Sequence, residues 1–190
     1  MDFYYKPIAD VESFSKLWLN LKPKIMPVRE NVVADSAIDL ALEHLENMND
    51  QELNNLFERM SIQQPNIMGF VVGLSEGLED EEAAEDLFYL TTIIWHSVEL
   101  SKNDVLLTVS EEALTALENR MTNLFEEIIS FSEENDEDDM KNLIGASSQP
   151  SLVSYLADEF FSEQYLRLPE EKIAKMFACM TVVGESLGEA

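Results

Sequence analysis

The densest run of side chains able to do chemistry is Glu81-Glu82-Ala83-Ala84-Glu85-Asp86. On a helix, residues four apart share a face, so Glu81 pairs with Glu85 and Glu82 with Asp86. Two carboxylates one turn apart can hold a hard divalent cation such as Mg²⁺. A second acidic run, Ser132 to Asp139, alternates Asp136 and Asp138 as part of a calcium loop would. Met140 takes the next ligand position, however, and the turn glycine and closing glutamate of an EF-hand are missing. It reads as a solvated acidic segment. The two histidines, His44 and His96, stand in no Glu-x-x-His pair, so a ferritin-like dimetal site is not expected. His96 follows Trp95 and reads as a packed residue at the edge of the core.

The Glu-Glu-x-x-Glu pattern resembles one half of the metal cage of all-α nucleotide pyrophosphohydrolases. That resemblance implies a second Glu-x-x-Asp on a following helix, and the nearest, Glu133 to Asp136, lies far downstream in the acidic segment. Few basic residues are available to hold substrate phosphates. Carboxylates in a first helical turn are also what the helix dipole selects, with no metal needed. A metal-dependent all-α hydrolase using Glu81, Glu82, Glu85 and Asp86 is therefore the alternative reading, and no cofactor is expected in the main one.

Charge excludes more than it identifies. Against 38 Asp and Glu stand 12 Lys and Arg, a formal net charge of −26. Such a polyanion repels phosphate backbones and anionic lipid, so neither nucleic acid nor membrane is expected as a partner. With 46% hydrophobic residues the chain still has material for a core. The start of the chain lacks the basic and apolar blocks of a signal peptide, and no apolar run is long enough to span a bilayer. The single cysteine, Cys179, can form no internal disulfide and sits in an apolar slot, which points to a buried, inert thiol. A cytoplasmic protein is the expectation.

The charge is uneven. Residues 1–29 carry five basic and three acidic side chains, a local +2, which leaves −28 on the other 161 residues. The same segment holds Phe3, Tyr4, Tyr5, Phe14 and Trp18. Its spacing predicts a first helix over about 9–21 that packs Val11, Phe14, Leu17, Trp18 and Leu21 into the core. A docking arm is the other use for it.

Strand periodicity is nearly absent, and helical stripes recur. Ile38, Ala41, Leu42 and Leu45 mark a helix capped by Asp35 or Ser36. Leu53, Leu56, Phe57 and Met60 mark another, starting at Asn49 or Asp50. Pro65 sits where a first-turn proline belongs, ahead of Ile67, Met68, Phe70, Val71 and Leu74. Asp80 opens a long helix to about Leu100, and Ser110 opens another carrying Leu114, Leu117, Met121, Leu124, Phe125, Ile128 and Ile129. Gly69, Gly73 and Gly77, spaced by four within a helix, form no phosphate loop and permit close contact between helices instead. The fold class expected is all-α, with eight or nine helices.

The chain also repeats itself. Gln64-Pro65-Asn66-Ile67-Met68-Gly69-Phe70-Val71 lies over Gln149-Pro150-Ser151-Leu152-Val153-Ser154-Tyr155-Leu156, an offset of 85 residues. Leu53 to Phe57 lies over Met140 to Ile144 at 87, and Leu87 to Ile94 over Met176 to Val183 at 89. Offsets that change only at expected turns suggest a duplicated four-helix unit. The expected division is an N-terminal extension over 1–34, a first unit over 35–105 and a second over 106–190, together one compact domain. A pair of bundles about a pseudo-two-fold and a short solenoid both fit this pattern.

The function expected is non-enzymatic: a helical protein that binds another protein, with its acidic surface selecting a basic partner. An immunity protein, or a nucleic-acid mimic that fills a basic active site, is a specific form of that expectation. Gln64, Phe70, Gln149 and Tyr155, recurrent in both units, are the candidate partner-binding residues. Oligomeric state is not legible.

Overall fold

The computed structural model describes residues 32–78, 80–102, 106–130, 136–165 and 167–190. The helix expected over 9–21, its use as an arm and Ser132 to Asn135 lie outside them. Among the described residues there are eight α-helices and one 3₁₀ turn, with no strand. They are α1 (Asp35–Asn47), α2 (Asp50–Gln63), α3 (Pro65–Ser75), α4 (Glu81–Lys102), α5 (Glu111–Ser130), α6 (Asp136–Ala146), α7 (Pro150–Phe160) and α8 (Glu170–Glu189). The 3₁₀ turn, Glu163–Tyr165, joins α7 to α8. The acidic aspartates Asp136 to Asp139 open α6 rather than lying in a loop.

The helix starts follow local chemistry. Asn49 caps α2 in a full capping box: its side chain accepts from the Gln51 and Glu52 amides, and the Glu52 carboxylate takes the Asn49 N–H. Asp80 Oδ1 accepts from Ala83 N at 2.9 Å, and Ser110 Oγ from Ala113 N at 3.2 Å. The start of α1 differs from expectation. Its N-cap is Ala34, which has no side-chain acceptor, and Asp35 is already helical. Val33, beside it, is held instead by a distant side chain described below.

Both halves of the chain pack by one scheme. In each, the first helix lies on the fourth, α1 on α4 and α5 on α8, while the second and third, and third and fourth, also meet. Across the halves α4 packs on α8, α3 on α5, and α7 on α1. That last contact brings the first described helix onto the second-half unit, which an open solenoid would not do. The result is a helical bundle with one continuous hydrophobic core.

The long helices α4 and α8 form its axis. Leu90 to Val98 on α4 and Met176 to Leu187 on α8 are buried on every side. Helices apolar all round belong in a core. Thr91, Thr92, Ser97 and Ser186 are tolerated there because each hydroxyl donates to the carbonyl four residues back. Trp95 and Cys179 are fully buried, and burial pushes the Cys179 thiol far above its ordinary value. Phe57, at the edge, meets Phe88 edge-on at 6.3 Å.

The glycine spacing on α3 is a correction. A Cβ at Gly69 or Gly73 would meet nothing within 4 Å, and at Gly77 only the Leu74 carbonyl at 3.4 Å. Gly69 and Gly73 face outward and seat no neighbouring helix. Gly69→Ala and Gly73→Ala should therefore each stabilise the fold by about 0.5–1 kcal/mol, the usual gain for alanine over glycine inside a helix. Urea denaturation with an unchanged m-value measures it. The close glycines are on α8 instead. A Cβ at Gly188 would lie 2.2 Å from Gln149 Nε2, so only glycine leaves that side chain its place.

Candidate functional site

The repeated glutamines are structural fasteners. Gln64 and Gln149 precede α3 and α7 with nearly the same backbone, φ −127° and ψ 56° against φ −127° and ψ 64°. Gln64 is 1% exposed and clasps the segment before α5: its Nε2 donates to Leu107 O at 2.8 Å, and its Oε1 accepts from Val109 N at 3.0 Å. Gln149, 3% exposed, accepts from Val33 N at 2.9 Å, just before α1. Each half thus holds the entry to the other half's first helix. Of the four residues singled out from the repeat, only Phe70 and Tyr155 keep surface, both half-buried against the core. They sit on α3 and α7, which pack on different helices.

The Glu81–Asp86 carboxylates fan out over the start of α4. Glu82 pairs with Arg167 at 3.0 Å, and the same guanidinium reaches Asp80 at 3.9 Å. Asp86 accepts from Gln164 Nε2 at 3.2 Å. Glu81 and Glu85 are exposed. Among the described residues no group of three or more His, Cys, Asp or Glu is gathered as a metal ion would need.

Tyr155 leads to a different surface, which the sequence pattern did not single out. Asp86 and Tyr89 on α4, Tyr155, Asp158 and Glu159 on α7, and Tyr165 in the 3₁₀ turn are electrostatic neighbours. Tyr89 is 43% exposed. Glu159 is half-buried. Desolvation first, then the charges of Asp158 and Asp86, push its carboxyl above the ordinary range. Desolvation does the same to Asp158. All three tyrosines are raised as well, by desolvation and then by these same carboxylates, with Glu46 of α1 adding to the effect at Tyr89. No described cation pairs with Asp158 or Glu159. The surface is therefore an aromatic ledge set among carboxylates, of which Asp158 and Glu159 meet no cation among the described residues.

Comparison with family models, with curated proteins and with solved structures gives no match for this chain. Its function has to be read from its own residues. No described helix is long and apolar enough to cross a membrane.

Proposed function

We propose that this protein is a non-catalytic binding protein that receives a basic protein partner on the face formed by Asp86, Tyr89, Tyr155, Asp158 and Glu159. The carrying observation is the half-buried Glu159. A carboxylate placed beside two others, with no cation among the described residues, disfavours the free fold. An arriving lysine or arginine removes that penalty and finds the exposed ring of Tyr89, with half-buried Tyr155 beside it, suited to cation–π contact. The high negative charge of the whole chain adds steering. An immunity protein or a nucleic-acid mimic would use such a face in this way. The matching packing of the two halves, with their equivalent glutamine fasteners, supports descent of the bundle from one duplicated four-helix unit.

Glu159→Gln separates function from fold. It keeps the shape and removes the strained charge, so the free protein should melt at a higher temperature at neutral pH. Glu159 has a raised value in the fold, so its unfavourable contribution is absent at acid pH and appears as pH rises through that value. The gain from Glu159→Gln should accordingly vanish on acidification. The same variant should bind an arginine-rich peptide more weakly, and calorimetric titration measures both ends of this trade. A variant that is less stable at neutral pH, or binds equally well, contradicts the proposal.

A further inference from the structure

The two histidines of the chain meet across the α1–α4 interface. His44 Nδ1 lies 3.2 Å from His96 Nε2. The other nitrogen of His96, Nδ1, lies 3.1 Å from Glu99 Oε2. Arg59 of α2 donates to both oxygens of Glu99, at 2.8 and 2.9 Å, and its guanidinium stacks 4.9 Å from the centre of the Trp95 ring. His96 is only 6% exposed. His44 from α1, Glu99 from α4 and Arg59 from α2 are the titratable and charged groups that act on it.

This geometry fixes where the protons sit. A carboxylate only accepts, so His96 Nδ1 must carry a hydrogen. Neutral His96 then presents a lone pair at Nε2, and His44 donates to it from Nδ1. One added proton can be shared between the facing nitrogens by a change of tautomer. A second places N–H against N–H with two positive charges in contact, and the hydrogen bond is lost.

The other half of the bundle holds a different pair at the same joint. His44 and Arg120 are each the tenth residue of their helices, α1 and α5. His96 and Glu185 stand at the repeat offset of 89 on α4 and α8. There Arg120 reaches Glu185 at 2.5 Å, a guanidinium–carboxylate pair with no imidazole to titrate.

We propose that the His44–His96 pair is a pH-operated joint, which releases α1 from α4 on acidification while the α5–α8 joint stays closed. Burial lowers the His96 value, more than the Glu99 hydrogen bond and charge raise it, with His44 and Arg59 lowering it further. For a histidine lowered by folding, the stabilisation is complete above the unfolded value of about 6.5 and is lost as pH falls below it toward the folded value. Release would uncover Ile38, Ala41 and Leu45, the buried stripe of α1. The joint uses none of the residues of the tyrosine face, although α1 also carries Glu46, which acts on Tyr89.

Imidazole nitrogen spectra of the whole chain, which has two histidines, together with amide exchange across the pH range, test it. The expected result is His96 as the Nδ1–H tautomer at alkaline pH and two separated protonation steps. Protection factors of α1 amides should fall about tenfold per pH unit through the second step, because opening takes up one proton. Those of α5 should hold. In His44→Gln that pH dependence should span a narrower range, since the burial of His96 remains and only the contact between two charges is removed. Independent titration of both histidines near the ordinary value, or α1 and α5 losing protection together, would overturn the proposal.

Discussion

Gln64→Leu should lower the unfolding free energy by about 3 kcal/mol, although it keeps most of the side-chain volume and adds apolar surface. The loss has two parts. Val109 N–H is buried and loses its only described acceptor, at about 1–3 kcal/mol for an orphaned buried donor. Leu107 C=O loses its donor near the surface, at about 0.5–1.5 kcal/mol for an ordinary hydrogen bond. Neighbouring bonds show that the segment is meant to lie there: Asn66 Nδ2 donates to Val109 O at 2.8 Å, and Thr108 Oγ1 to Gln63 O at 2.9 Å. A urea midpoint shifted down at constant m would show the loss. A change within about 0.5 kcal/mol, the range of ordinary surface substitutions, would mean that the clasp is incidental.

Glu185→Ala should cost a similar amount, about 3 kcal/mol, for a different reason. Glu185 is only 5% exposed, on the stretch of α8 from Met176 to Leu187 that is buried throughout. Its Oε1 accepts from Ser147 Oγ at 2.7 Å and from Ser148 N at 3.2 Å, and Oε2 from Arg120. Ser147 Oγ in turn accepts from Gln149 N at 3.0 Å. One carboxylate therefore joins α5, α8 and the start of α7, where Gln149 holds the entry to α1. Removing it takes the acceptor from Ser147 Oγ and Ser148 N and leaves a cavity, while Arg120, half in solvent, can rehydrate. Arg120→Ala should consequently cost less than Glu185→Ala. If the two cost the same, the pair alone carries the energy and the serine contacts carry none.

Much of the bundle was legible because helix starts are local chemistry. Pro65, Pro150, Asn49, Asp80 and Ser110 all act where their types predicted. What the preceding glutamines do was not legible, since Leu107 and Val33 come to them only through the fold. The spacing of Gly69 and Gly73 says that they share a face but not which way it turns, and it turns outward. Ala34 caps without a side-chain acceptor, and the bond that Val33 N–H donates to Gln149 lies just outside the helix. His44 and His96 are 52 residues apart, and nothing in their flanks announces a meeting. The repeat singled out Tyr155, yet its neighbours Tyr89 and Glu159 carry no sequence mark. Among 38 acidic residues, a carboxylate under strain looks like any other.

Any protein of charge −26 attracts a polycation at low salt, so affinity alone says little about a dedicated face. The direct measurement is the affinity of an arginine-rich peptide for Glu159→Gln and for Glu126→Gln. Both remove one unit of charge, but Glu126 is exposed on α5, which carries none of Asp86, Tyr89, Tyr155, Asp158 and Glu159. A receiving site at Glu159 predicts a loss of about tenfold or more for Glu159→Gln, the scale of a central contact, and at most about a few-fold for Glu126→Gln, the scale of an exposed ion pair. Equal losses in the two variants would contradict the account and reduce the negative charge to a general field.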